Sequence, residues 1–139
     1  MSQLFLVGRL VLGGYFLFSA SHHFIELHQL SGFAAAHHVP FAPVAVAGSG
    51  LLLLVAGLCF LLGVLPRVGV AAAVLFLVPV TLIMHPFWAD ADPQARMNDM
   101  INFTKNFALV GSALMFLGVP EPWPYSVHVP SVRHVSATA

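Results

Sequence analysis

The sequence predicts an all-α integral membrane protein, a bundle of four transmembrane helices with a short interfacial helix after the first span. Three observations carry this prediction. Apolar residues make up 59% of the 139 residues and charged ones 7%, whereas a water-soluble domain carries roughly a quarter charged residues. Five Lys+Arg and five Asp+Glu cannot coat a soluble globule of this length. Finally, the apolar residues gather in four runs, each close to the ~20 residues that cross a bilayer core of about 30 Å.

The first run is Leu4 to Phe24, interrupted by Arg9. A cleaved signal peptide is the competing reading, since Ser19-Ala20-Ser21 is small enough to be cut. Against it, Met1-Ser2-Gln3 has no basic residue and Arg9 falls where an apolar h-region would be continuous. The second run is Val44 to Leu65, with Pro43 before it and Pro66 after it. The third, Val68 to Met84, contains Pro79, a source of a kink. Only Pro66 and Arg67 separate these two runs, which predicts a tight antiparallel hairpin. The fourth run is Ile101 to Val119 and contains Lys105.

Between the first two spans, Leu27, Leu30, Phe33 and Ala34 recur at helical spacing, predicting the interfacial helix. Between the third and fourth, Asp92-Pro93 reads as an N-cap with proline at the first helical position. The fourth helix therefore starts near Pro93, ahead of the lipid. The bundle is expected over residues 1–120. Pro120, Pro122, Pro124 and Pro130 with Ser, Thr and Val describe an extended tail over 121–139, in which Trp123 and Tyr125 are placed as interfacial anchors. Arg9, Arg67 and Arg133 fall on one side and Arg96 and Lys105 on the other, so positive-inside counting places both termini in the cytoplasm.

Composition also excludes functions. Net charge is zero and there is no basic run, so nucleic acid is not an expected partner. Cys59 is the single cysteine, so neither an intrachain disulfide nor a cysteine-pair zinc site can form. Flanked by Leu58 and Phe60, it reads as an inert buried thiol. The glycines Gly13, Gly14, Gly48, Gly50, Gly57, Gly63 and Gly69 read as points of close helix packing.

Ionisable groups within spans are costly and so informative. Arg9 and His23 are 14 positions apart, about 40° in heading at 100° per residue. They share a stripe with Gly13, Phe16 and Ala20 that should face the bundle interior. His22 lies four residues before Glu26, within reach if the helix continues. Antiparallel packing then collects His22, His23, Glu26, His85, Trp88, Asn102 and Lys105 at one end of the bundle, leaving Arg9 near the other. Taken singly, each is ordinarily an interfacial side chain reaching for headgroups; His28, His37, His38, His128 and His134 are read as solvated. Taken together, the seven define a polar pocket or partner site. No ligand spacing marks a metal, although His23 facing His85 would suit a bis-histidine haem.

Several stretches resemble the DoxX family of bacterial membrane proteins. One is Gly8-Arg9-Leu10-Val11-Leu12-Gly13-Gly14-Tyr15-Phe16. A second runs from Gly57-Leu58 through Leu62-Gly63-Val64-Leu65-Pro66-Arg67. A third is His85-Pro86-Phe87-Trp88 with Asn102-Phe103 and Lys105-Asn106 downstream. The resemblance covers residues 4–120. It implies a four-helix protein of the bacterial inner membrane. Some relatives serve quinone-linked sulfur oxidation as small subunits, and others associate with redox-defence enzymes. Leu53 stands where many members carry a glutamate, so an activity that needs that carboxylate is not expected here. The resemblance implies a small subunit or anchor of a membrane redox system, with a protein partner or a second copy beside the lipid. The alternatives are direct quinone binding by the polar cluster, or an oligomeric transporter. Quinone is a possible cofactor for the cluster, with Lys105 and Asn102 donating to its carbonyls and Trp88 stacked on its ring.

Overall fold

The structure is a computed structural model that describes residues 2–127. Within them the chain is helical: α1 (Ser2–Ile25), α2 (Leu27–Ala36), α3 (Ala42–Leu62), α4 (Pro66–Met84) and α5 (Pro93–Met115), followed by a 3₁₀ turn, Phe116–Gly118. Four helices are long and apolar enough to cross a membrane: α1, α3, α4, and α5 with its 3₁₀ extension. Helices suit this setting because they satisfy their backbone hydrogen bonds internally where no water is available. The expected extended tail beyond Val127, with His128, Arg133 and His134, lies outside the described residues.

α2 forms where the sequence places an interfacial helix. Glu26 interrupts α1 and α2 with φ −104° and ψ 26°. The bonds Glu26 N–H to the His22 carbonyl and Leu30 N–H to the Glu26 carbonyl, both 2.9 Å, carry the helical ladder across it. α2 turns Ser31 and Ala34 inward, and Ala34 packs with Ala42 and Val46 of α3.

The α3–α4 hairpin differs from its expected limits. α3 stops at Leu62, the turn is Gly63-Val64-Leu65, and Pro66 and Arg67 belong to α4. Gly63 adopts φ +72°, the left-handed cap that a residue without Cβ takes most readily. Pro66 opens α4, where an amide proton would have no intrahelical acceptor. α5 starts at Pro93 as expected, and the Asp92 carboxylate accepts from the Ala95 N–H at 2.8 Å.

The α1–α3 seam is the most intimate contact in the bundle. A Cβ built on Gly13 would lie 3.0 Å from the Gly57 carbonyl oxygen and 2.9 Å from the Leu61 nitrogen. One on Gly57 would lie 2.7 Å from Leu17 Cδ2 and 3.0 Å from the Gly13 carbonyl oxygen. The two backbones therefore touch, which is how helices associate in lipid without a hydrophobic driving force. Gly50 and Gly69 also face close neighbours, whereas Gly14 and Gly48 have open space and are not packing points.

Trp123 departs from the expected interfacial anchor. It is 2% exposed and closes the end of the core, with its ring 5.2 Å from Phe5, 5.1 Å from Phe116 and 6.3 Å from Phe60. The chain after Gly118 folds back onto the bundle, and the Val127 N–H donates to the Leu62 carbonyl at 2.9 Å. Tyr125 is 61% exposed and stays at the surface. The aromatic composition of the segment signals an interface, but the gap between Phe5, Phe60 and Phe116 takes the larger ring.

Two variants test this packing. Gly57→Val should cost about 1–3 kcal/mol by overpacking the seam, read as a lowered midpoint of thermal unfolding in detergent. Trp123→Ala should cost about 3–5 kcal/mol by opening the bundle end. An unchanged midpoint in either case contradicts the assignment.

Candidate functional site

The polar residues of the bundle divide between its two ends. At the end near Trp123, Arg9 is 1% exposed, and its Nη2 donates to the Tyr125 carbonyl at 3.0 Å. Nε and Nη1 have no partner among the described residues. A Cβ on Gly63 would collide with Nη1, so the same glycine that caps α3 also makes room for the guanidinium. The cation thus lies against the C-terminus of α3, where the unpaired carbonyls leave partial negative charge. The inward stripe read from the sequence is observed: Arg9, Gly13, Phe16 and Ala20 are all buried.

At the other end all five helices line an open-sided cavity of about 570 Å³. Its wall is largely apolar, with Leu30 and Phe33 from α2, Val46 and Leu52 from α3, and Phe76, Pro79 and Ile83 from α4. The polar contribution comes from Tyr15, Ser19 and His23 of α1, Ser49 of α3, His85 after α4, and Lys105 and Asn106 of α5. An apolar cavity with a few convergent polar groups is the usual form of a small-molecule site.

Of the seven residues gathered by the sequence, His23, His85 and Lys105 line this cavity. Asn102 stands behind Lys105, whose Nζ donates to Asn102 Oδ1 at 2.8 Å. His22 and Glu26 form their expected contact, Nδ1 to Oε1 at 3.1 Å. Both side chains are over 40% exposed, and neither lines the cavity. Trp88 is 55% exposed and packs on Phe87 at 5.2 Å and Phe103 at 5.7 Å, outside the cavity wall. Among the described residues, no group of three His, Cys, Asp or Glu is placed to hold a metal.

Two second partners orient the cavity histidines. His23 Nδ1 lies 2.9 Å from the Ser19 carbonyl oxygen, one turn earlier in α1. Since a carbonyl only accepts, Nδ1 carries the proton. His85 Nδ1 lies 3.1 Å from Asp99 Oδ1, with both side chains largely buried. The sequence reading left out Asp99 and named Asn106 only within the family resemblance, not as a site residue. Their signal is an i, i+3, i+7 series, Asp99, Asn102 and Asn106, which puts all three on the α5 face toward α4; Asn106 is 7% exposed.

Against known families, the model described as DoxX matches residues 4–86. The match takes in α1 to α4 and His85, and stops short of α5, so Asp99, Asn102, Lys105 and Asn106 lie outside it. No curated protein and no solved structure matches.

The ring assignments predict a measurable state. In ¹⁵N spectra of neutral histidines, His23 and His85 should both be Nδ1-protonated. Asp99→Ala should release His85 to a mixture of tautomers while leaving His23 unchanged. An Nε2-protonated His85 in the wild-type chain contradicts the Asp99 contact.

Proposed function

The chain belongs to the DoxX family, and from that premise we propose that it is a small subunit of a membrane redox system, holding a lipid-soluble, quinone-type headgroup. Its place in this reading is the bacterial inner membrane. The observation that supports it is the cavity of about 570 Å³ at one end of the bundle. Its apolar wall suits the ring and the start of an isoprenoid chain, which a membrane ligand brings directly from the lipid. Lys105 and Asn106 supply hydrogen-bond donors for ring oxygens, and His23 and His85 add two imidazoles to the same lining. In this reading Trp88 serves the loop packing, because it lies on Phe87 and Phe103. Leu53 is 0% exposed in the apolar core, so the middle of α3 offers no carboxylate.

A partner is favoured by a separate observation. The α5 span is 11% buried within the chain, against 28% to 39% for the other three. Gly111 and Ser112 lie exposed on it, and small exposed residues allow another helix to approach closely. In this reading α5 is the face presented to the partner subunit or to a second copy. Ser112→Cys in a Cys59→Ala background should then give a crosslinked species in native membranes; a purely monomeric product counts against this face.

The ligand reading predicts that mildly purified protein carries extractable quinone. Lys105→Ala should lower its occupancy about tenfold, the loss of about one charge-assisted hydrogen bond. Gly48→Leu is the second probe, because Gly48 lines the cavity and a Cβ there meets nothing within 4 Å. It should empty the cavity and leave thermal stability intact. Quinone-free wild-type protein that shows no thermal shift with added quinone ends the proposal. A Soret band in the same preparation replaces it with a haem held by the two histidines.

A further inference from the structure

We propose that the cavity selects a ligand whose head carries a hydroxyl donor, so that of the two oxidation states of a quinone-type amphiphile it holds the hydroxyl-bearing one. This rests on the cavity being the ligand site. The new element is which hydrogen-bonding groups the cavity offers, and it comes from the partners of the two histidines.

A neutral imidazole has one donor and one acceptor nitrogen. The Ser19 carbonyl can only accept, so at 2.9 Å it commits the His23 proton to Nδ1. The Asp99 carboxylate does the same for His85 at 3.1 Å. Each neutral ring is left with Nε2 as an acceptor. Among the described residues neither Nε2 has a hydrogen bond, and neither is among the sealed, partnerless polar atoms. His23 and His85, from separate elements, both line the cavity, and each neutral ring keeps one acceptor nitrogen free for a donor. Lys105 is the complementary group. One of its protons goes to Asn102 Oδ1, and the other two are available to an oxygen lone pair.

A carbonyl head satisfies Lys105 and leaves both Nε2 atoms unanswered. A hydroxyl accepts from Lys105 and donates to an imidazole. A polar atom left unanswered once the ligand has displaced its water costs more than the bond itself returns, and sites built around a hydroxyl reject analogues that lack it. The bound ligand needs no redox step for this discrimination. It is a difference in binding between two pre-existing molecules. Asp99 acts as a positioning residue, setting which nitrogen of His85 faces the ligand.

The test uses the full chain in lipid nanodiscs under anaerobic conditions, with decyl-1,4-benzoquinone and its hydroquinone as probes. The hydroquinone is expected to bind about tenfold tighter, the discrimination of one hydrogen bond. His85→Phe should narrow the ratio, leaving only His23 to accept, without abolishing quinone binding. Asp99→Asn, whose amide can donate to Nδ1 and force the proton to Nε2, should also lower the ratio, with a matching change in the His85 ¹⁵N signals. Asp99→Glu should restore it. Equal affinities in the wild-type protein overturn the hydroxyl selection and leave the cavity reading standing. Binding of neither probe overturns both. A ratio that survives His85→Phe and Asp99→Asn overturns the role given to this pair.

Discussion

The backbone contact between α1 and α3 governs the rest of the molecule. Gly13 and Gly57 face each other with each Cα against the other's carbonyl, so the two helices lie closer than side chains elsewhere would permit. In lipid, where apolar side chains gain nothing by leaving their solvent, such contact and dispersion must hold the helices together. The seam also fixes the register of α1 along α3. One end of that register puts Arg9 over Gly63. The other puts His23 over Gly50, where a Cβ would sit 2.9 Å from the His23 Cβ. Both polar ends of the bundle thus descend from one glycine pair.

The two ends are built on opposite principles. At Arg9 itself the core is closed: Trp123, Phe5, Phe60 and Phe116 pack together, and the returning chain supplies the Tyr125 carbonyl. Among the described residues no carboxylate pairs with this buried guanidinium, which leans on α3's carbonyl end and on the Tyr125 carbonyl. At the far end the wall is left open. Small residues such as Ser19, Ala45, Gly48 and Ser49 line it, and Pro79 removes an amide donor from the α4 ladder beside it.

The cavity chemistry depends on partners that are themselves ordinary. A histidine bonded to the carbonyl one turn back is a local consequence of the helix, and His23 follows it. His85 is held instead across two elements, by Asp99 of α5. Because α5 touches the bundle chiefly through α4 and is otherwise little buried, whatever moves α5 acts on both Asp99 and Lys105. The helix with the least internal packing therefore carries two of the groups that set the polarity of the cavity.

The number of spans, the interfacial helix, the N-cap at Asp92 and the inward face of α1 were all legible in the sequence. Each is a periodic or nearest-neighbour property: apolar run length, 3.6-residue recurrence, and capping chemistry within four residues. The gathering of His23, His85 and Lys105 was legible for a related reason, since antiparallel connection fixes which helix ends share a side. The hairpin limits at Gly63 and Pro66 were readable from capping rules, although the hydropathic run through Leu65 concealed them. Only the tertiary structure decided that Trp123 fills the core, that His22, Glu26 and Trp88 lie off the cavity, and that Asp99 holds His85. These depend on helix rotation and register across contacts between residues far apart in the chain, set by the Gly13–Gly57 approach. No spacing along one helix encodes that distance.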